Sequence, residues 1–422
     1  MLVRHFAESR LIVIWGSHSI ASNLHFWTFA QQAKRAGAKL VCIDPRRTET
    51  ADKCHTHLQL RPGTDGALAL ALMHELIVHD WLDQAYIDAH VQAEGWPALR
   101  ERALQWPPER AAEVCGLPVE QIRDLARDLG TTKPAAIRLN YGMQRVRGGG
   151  NAVRLVALLP CLTGAWRHRA GGLLLSSSGW FGMVRDDAAR QRPDLLAGRA
   201  PRTINMSTIG DDLLRDASPD FGPKIEALIV YNSNPVAVAP ESPKVVRGFA
   251  RDDLFTVVLE HFLTDTADHA DYVLPATTQL EHLDLHTSYG HTDVLLNEPA
   301  IAPLGESLPN TEIFRRLAAA MGFDDACFRD SDEVLAEQTL RGAVTYAALK
   351  ASPGWMSLPI ADAPFAEGGF PTRDGRVQID VPGLGLPDHL EPHESVVSAP
   401  ALAVRYPLAM ISPPARNFLN ST

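Results

Sequence analysis

The sequence predicts an α/β protein built from two similar strand–helix–strand units. Three observations carry this: short, wholly apolar runs of buried-strand type, amphipathic stretches that follow them, and a repetition of that pattern further along the chain. The 422 residues are 45% apolar and 21% charged, enough for two or three domains with large cores and no need of a covalent staple. No apolar run approaches the roughly 18 residues of a membrane-spanning helix. A net charge of −10 without a dense Lys/Arg face argues against a nucleic-acid partner. Cys42, Cys54, Cys115, Cys161 and Cys327 are odd in number and scattered, without C-x-x-C. That excludes a disulfide framework and a zinc or iron–sulfur site made by this chain, and points to reduced thiols in the cytoplasm. The start, MLVRHFAESRLIVIWG, reads as the approach to a core strand, not as a secretory signal.

Taken in order, Leu11 to Trp15 (LIVIW) is a strand of the kind buried on both faces of a parallel sheet. Gly16-Ser17-His18-Ser19 breaks it, a helix from Asn23 to Arg35 follows, and Gly37 closes that helix. A second strand, Lys39 to Ile43, ends at Asp44, where nucleotide-binding folds hold a ribose or a guanine; no G-x-G-x-x-G supports that role here. The pattern recurs as a strand at Ala227 to Tyr231, Asn232-Ser233-Asn234-Pro235, a helix near Lys244 to Ala250, and a strand at Leu254 to Leu259 ending at Glu260. One and the same offset separates Trp15 from Tyr231, Ser17 from Ser233, and Asp44 from Glu260. At that offset Thr48-Glu49-Thr50-Ala51-Asp52 faces Thr264-Asp265-Thr266-Ala267-Asp268. An internal repeat of this register predicts two related domains with matching ligand edges at the carboxyl ends of their strands.

Between the two units the chain reads as helical. Asp65 to Val78 follows Arg61-Pro62-Gly63-Thr64, with Thr64 as the N-cap and free N–H groups suited to an anionic or carbonyl oxygen. Further helices fill Gln84 to Arg127, and a strand at Ala135 to Leu139 ends in Asn140-Tyr141-Gly142. The turn Arg145 to Gly150 (RVRGGG) leads into a helix from Asn151 to Leu159 and is either a phosphate-binding turn or a plain surface turn. Ser176 to Gly179 and the polar stretch Arg185 to Pro201 read as a linker or long loop, which sets a domain boundary.

His282, Asp284 and His286 alternate, so a strand would place them on one face. They alternate with leucines and lack a second ligand cluster, which favours a polar face lining a pocket or solvent over a metal site. The same holds for Cys54-His55-Thr56-His57, and no metal site is assigned to this chain. No G-x-S-x-G, G-x-x-x-x-G-K-[ST] or H-E-x-x-H is present, so hydrolase and NTPase chemistry lack their residues.

Seven segments, in order, resemble the molybdopterin oxidoreductases of the dimethyl sulfoxide reductase type, the superfamily of formate dehydrogenases and periplasmic nitrate reductases. They are IVIWGSHSIAS, VCIDPRRTETA, LRPGTDGALALALM, NYGMQRVRGGGNAVR, LIVYNSNPVAVAP, VVLEHFLTDTADHADYVLPATTQLEHLDLHTSYG and PTRDGRVQI. The resemblance implies two Rossmann-like domains with parallel sheets and flanking helices, at residues 1–180 and 181–385. Residues 386–422 would be a linker and the truncated start of a β-rich, cofactor-capping domain. It implies a molybdenum or tungsten cofactor, bis-molybdopterin guanine dinucleotide, with one dinucleotide on each domain. On the first, Trp15, Gly16, Ser17 and His18 would line the dinucleotide. Asp44, Pro45, Arg46 and Thr48 would sit at its guanosine, and Gly63, Thr64 and Asp65 around the base, Asp65 accepting from the guanine N1–H and amine. Tyr141, Gly142 and Arg145 would face the pterin. On the second, Asn232, Asn234, Pro235, Glu260, Phe262, Thr264, Asp265 and Thr266 would play the matching part, with Asp271 and Glu281 nearby.

The implied function is a two-electron oxidoreductase acting on a small-molecule substrate, with an electron-transfer subunit as partner, this chain being its central cofactor-binding part. Family members carry the protein ligand to molybdenum, and many a [4Fe-4S] motif, upstream of the first strand. Tyr406 to Thr422 resembles the opening of the family's last domain. The chain is thus expected to lack both outer parts and to be inactive alone. Arg145, Asp284 and His286 are the candidates for proton handling or pterin contact. His18 stands where many members have Asn, and Tyr289-Gly290-His291-Thr292 replaces the common Glu-Gly-Arg turn, which leaves the substrate open. The alternatives are a scaffold of an electron-transfer complex that binds no cofactor, against which the retained polar loops argue, and a nicotinamide dehydrogenase, weakened by the missing glycine fingerprint.

Overall fold

In the computed structural model, which describes residues 1–413, β1 (Leu11–Trp15) lies at the centre of a five-stranded, wholly parallel sheet. The other strands are β2 (Lys39–Ile43), β3 (Thr56–Leu58), β4 (Ala135–Leu139) and β5 (Gly172–Leu174), in the order β3-β2-β1-β4-β5. Every β1 residue is buried, as an unbroken apolar run requires. Leu11, Val13 and Trp15 face one core with the helices Asp65–Val78 and Gly149–Leu162, while Ile12 and Ile14 face a second core with Phe6, Phe26 and Ala30. Strand order reverses between β1 and β4, so a crevice opens at their carboxyl ends, where open α/β sheets take their ligands.

The second parallel sheet is β6 (Ala227–Tyr231), β7 (Phe255–Glu260) and β8 (Tyr272–Pro275), in that order. β9 (Asp284–His286), β10 (Asp293–Asn297) and β11 (Trp355–Ser357) form a separate antiparallel sheet. The internal repeat survives at the level of register. Leu11 pairs with Lys39 and Val41 with Thr56; Ala227 pairs with Phe255 and Val257 with Tyr272. All four positions of the second set follow those of the first at the offset seen in the sequence. The coverage differs. Val230 and Val258 pack under the helices Ile209–Leu214 and Ser242–Phe249, but Ile229, Tyr231, Phe255 and Tyr272 on the other face are exposed, and among the described residues no strand pairs with the outer edge of β6.

The chain forms two units. One holds residues 1–180 with 288–292 and 359–411; the other holds 181–287 and 293–358. Residues 359–385, expected with the second domain, belong to the first because their anchors lie there. Phe365 carbonyl accepts from the Tyr86 hydroxyl (2.6 Å), Ile379 and Gly385 carbonyls from Arg154, and Leu386 and Pro387 carbonyls from Arg102. The described part of 386–422 holds one helix, Pro400–Arg405, and of the expected domain opening at Tyr406 to Thr422, residues 414–422 lie outside the described residues.

Local expectations differ in three places. Thr64 precedes the helix as expected but does not cap it: its φ/ψ of −98°/11° turns the hydroxyl back to donate to Arg61 carbonyl (2.7 Å). The helix after RVRGGG starts earlier, at Gly149, because Gly148 takes the left-handed φ of +78° that starts it. The expected loop Arg185 to Pro201 contains the short helix Asp187–Gln191, which Asp186 caps through Ala189 N–H. Among the described residues no helix is long and apolar enough to cross a membrane.

Candidate functional site

At the carboxyl edge of the first sheet, β1 ends in a left-handed residue, Gly16 (φ +59°), whose N–H donates to Ile43 carbonyl (2.8 Å). A Cβ there would come within 2.7 Å of Met143 Cγ, so only glycine lets the β1 and β4 turns approach. Gly142 lies against Gly16 carbonyl on the opposite lip, and Asn140 Nδ2 reaches Ser17 Oγ at 3.4 Å. Ser17 is buried and shares a 2.9 Å hydrogen bond with Ser19. Tyr141 and Arg145 are exposed at this lip.

The Thr-x-Thr-Ala-Asp segments show why these residue types recur. Thr48 Oγ1 accepts from Ala51 N–H (3.2 Å) and caps the helix Glu49–Lys53; Thr264 Oγ1 accepts from Ala267 N–H (3.3 Å). Thr50 Oγ1 accepts from Ile20 N–H (3.1 Å) and meets His18 Nδ1 at 3.1 Å. Thr266 Oγ1 accepts from Val236 N–H (3.1 Å) and donates to Asn234 Oδ1 (2.7 Å). Each bond in the second half falls at the repeat's offset from its counterpart, and Asn232 (φ +54°) repeats the left-handed turn of Gly16. Strand edges match too. Leu40 N–H donates to His55 Nδ1 (2.9 Å) and Thr256 N–H to Asp271 (2.7 Å), so His55 and Asp271 satisfy a strand's free donor. Thr48, Thr50, Asn234, Thr264 and Thr266 therefore build the loops. Asp265 joins them by accepting from Asn234 Nδ2 (3.2 Å), and Pro235 opens the turn Pro235–Val238.

Two carboxylates mark the first half. Asp65, at the first residue of its helix, is buried, and its Oδ1 accepts from Trp15 Nε1–H (2.7 Å). Burial lifts its pKa to about 6; the Trp15 bond works against that rise. Trp15 is itself fully buried, so it offers its indole to Asp65 and no side-chain surface to a ligand. Asp44 Oδ1 accepts from Arg46 N–H (2.9 Å), and burial raises its carboxyl above the ordinary range against that bond and the charges of His57, Arg46 and His18. Arg145 and Arg147 make no ion pair and no side-chain hydrogen bond among the described residues, a donor set suited to phosphate. Gly63 and Gly66 lie against residues 389–392: a Cβ on Gly63 would strike Pro392, and one on Gly66 would crowd His389.

Glu281, the positional counterpart of Asp65, accepts from Thr278 N–H (2.7 Å), Thr278 hydroxyl (2.8 Å) and Leu304 N–H (2.6 Å), which hold its carboxyl below the ordinary range. Glu260 accepts from His261 N–H, Asn232 from Asn310 Nδ2, and Phe262 is exposed at the surface. Asp284 and His286 lie on β9, which follows the Glu281 loop; Asp284 accepts from Leu285 N–H (2.7 Å), and His282, before the strand, meets Thr277 Oγ1 (2.9 Å). Sequence reasoning missed Asn140 as the tie across the crevice, the Trp15–Asp65 bond and the cover by 389–392. That cover arrives from a segment remote along the chain and has no local signal.

The first sheet carries, at its switch-point crevice, the left-handed turn of Gly16, the buried Asp65 and the partly buried Asp44, at the edge where open α/β sheets take their ligands. Residues 3–320 match the family model of molybdopterin oxidoreductases, and the chain belongs to that family. It is 38% identical to the probable oxidoreductase YoaE of Bacillus subtilis (strain 168), over 98% of this chain and 60% of that protein. It is 26% identical to the dimethyl sulfoxide/trimethylamine N-oxide reductase of Rhodobacter capsulatus, over 87% of this chain and 48% of that protein. Among solved structures, acetylene hydratase from Pelobacter acetylenicus superposes with a TM-score of 0.72 at 21% identity, over 96% of this chain and 60% of that one, a likeness of fold. The chain thus spans at most about 60% of the length of these relatives. Family membership carries a molybdopterin cofactor with molybdenum or tungsten.

Proposed function

We propose that this chain is the cofactor-binding centre of a two-electron molybdenum or tungsten oxidoreductase, and that each unit takes one guanine dinucleotide of a bis-molybdopterin guanine dinucleotide. The observation that carries this reading is the duplicated loop: two edges, one in each half of the repeat, built from the same hydrogen bonds in the same register. The first unit's residues fit the group by their chemistry. Guanine offers N1–H and an amino group side by side, and Asp65 is a buried carboxylate with lone pairs left after the Trp15 bond. Arg145 and Arg147 provide unpaired cations for the pyrophosphate, and Gly16 and Gly142 let backbone approach it closely. In the second unit Asn232, Glu260, Phe262 and Asp265 occupy the matching loops. Glu281, already holding three donors, has less acceptor capacity to offer than Asp65.

When bound, the cofactor supplies the redox chemistry at its metal; this chain's residues bind and orient it. The proposed partners are a small-molecule substrate and an electron-transfer subunit. The proposed compartment is the cytoplasm, in keeping with Cys42, Cys54, Cys115, Cys161 and Cys327 all being free thiols. The test is acid release of guanosine monophosphate from the purified chain. Two equivalents per chain support the reading, one would confine it to the first unit, and none would sink it in favour of a cofactor-free scaffold.

A further inference from the structure

Two of the five cysteines stand side by side. Cys42 is fully buried on β2, and Cys54, partly exposed, ends the helix Glu49–Lys53 with its N–H donating to Ala51 carbonyl (3.1 Å). Leu40 and Cys54 pack with the core of Phe6, Phe26 and Ala30, and strand alternation puts Cys42 on the same face as Leu40. The backbone beyond Cys54 is tied back to that strand, His55 N–H donating to Leu40 carbonyl (2.8 Å). The two thiols are hydrogen-bonded to each other. The buried thiols of Cys115 and Cys161 instead donate to backbone, to the carbonyls of Thr64 (3.5 Å) and Ala157 (3.7 Å).

The repeat shows that this loop does not require sulfur. At the repeat's offset the second half holds Val258 and Ala270, which share one apolar cluster. The same neighbouring positions are thus filled without thiols, and the pair is an addition of the first half. We propose that Cys42 and Cys54 form a reversible disulfide, which closes a ring around the loop carrying Asp44, Arg46 and Thr48. The oxidant is a low-molecular-weight disulfide. Cys54, the accessible thiol, attacks one sulfur of that disulfide as its thiolate; the small S–S bond breaks, a mixed disulfide forms, and one small thiolate leaves to take up the proton that Cys54 gave up. The hydrogen bond to Cys54, and then burial, hold the Cys42 thiol well above the ordinary range. Entry of Cys54 into the mixed disulfide removes the first of these causes. Cys42 then loses its proton and attacks Cys54 Sγ, and the second small thiol departs with that proton. Two cysteine thiols are oxidised and one small disulfide is reduced to two thiols. In a reducing compartment such a pair closes only transiently. The inference is independent of the proposed cofactor role, since neither cysteine is among the residues assigned to the dinucleotide.

The test incubates the full chain with oxidised glutathione, blocks remaining thiols by alkylation and maps tryptic peptides by mass. Cleavage at Arg46, Arg47 and Lys53 separates the two cysteines, so a peptide carrying Cys42 joined to one carrying Cys54 reports the bond directly. That joined species is expected in the wild-type chain, with both thiols lost to alkylation, and reduction should restore them. Hydrogen exchange should slow across residues 44–54 in the oxidised chain and stay unchanged across residues 260–270. Cys42→Val and Cys54→Ala copy the residues of the second half, so each keeps a loop of known packing, checked by circular dichroism. Cys42→Val should leave glutathione trapped on Cys54, and Cys54→Ala should leave Cys42 unmodified. A wild-type chain in which Cys54 stays open to alkylation, or keeps glutathione as stably as the Cys42→Val variant does, would overturn the assignment.

Discussion

Asp65 sets stability against recognition. Its carboxyl loses protons at about 6 in the folded chain and near 3.8 when unfolded, so the folded state binds the proton more tightly. The stabilising contribution is therefore complete below pH 3.8 and is lost as pH rises through about 6. In the proposed cofactor role, guanine binding would run the other way, because only the ionised carboxylate accepts both guanine donors. Asp65→Asn should raise the melting temperature of the cofactor-free chain at pH 8 and change it little at pH 4, by thermal denaturation. The same change should lower retained guanosine monophosphate at pH 8. Trp15→Phe removes the donor that favours the ionised form. The pH midpoint of guanine-nucleotide binding should move upward, read by titrating binding across pH 5–8, whereas a Trp15 that merely fills space would leave the midpoint in place.

At the scale of elements, the sequence showed the strands plainly. LIVIW is an apolar run buried on both faces of its parallel sheet; ALIVY forms the expected strand but buries only Val230; the bounds expected for β1, β2, β4 and β6 match the observed ones. The duplicated TETAD and TDTAD segments form matching loops, because their threonines bond within a few residues of themselves or to the turn beside them. What stayed hidden was anything set by chain segments distant in sequence: the indole over Asp65, Asn140 tying the lips, and residues 389–392 over Gly63. Thr64 misled because its residue type favours a cap while its backbone angles forbid one. Thr50→Val should strand Ile20 N–H and cost about 1–3 kcal/mol in chemical denaturation. His18→Asn should cost far less, since Asn234 fills the equivalent place in the second unit.

For the whole molecule, the two units differ in cover. The first sheet is buried on both faces, whereas the second shows Ile229, Tyr231, Phe255 and Tyr272 to solvent and, among the described residues, leaves β6 unpaired on its outer edge. Exposed apolar strands with open edges associate readily. Ile229→Lys together with Phe255→Lys should lower self-association of the chain, measured by light scattering against concentration, and should leave the stability of the first sheet unchanged.

Because the two loops are made by the same bonds, the chain carries its own control experiment. A substitution such as Thr50→Val and its twin Thr266→Val remove the same contact from two surroundings. Their shared effect measures what the bond does for the backbone alone. The remainder belongs to whatever differs between the halves, above all an acceptor buried under a tryptophan on one side and a carboxylate fully engaged by its own loop on the other. Duplication thus lets architecture be subtracted from recognition inside a single polypeptide.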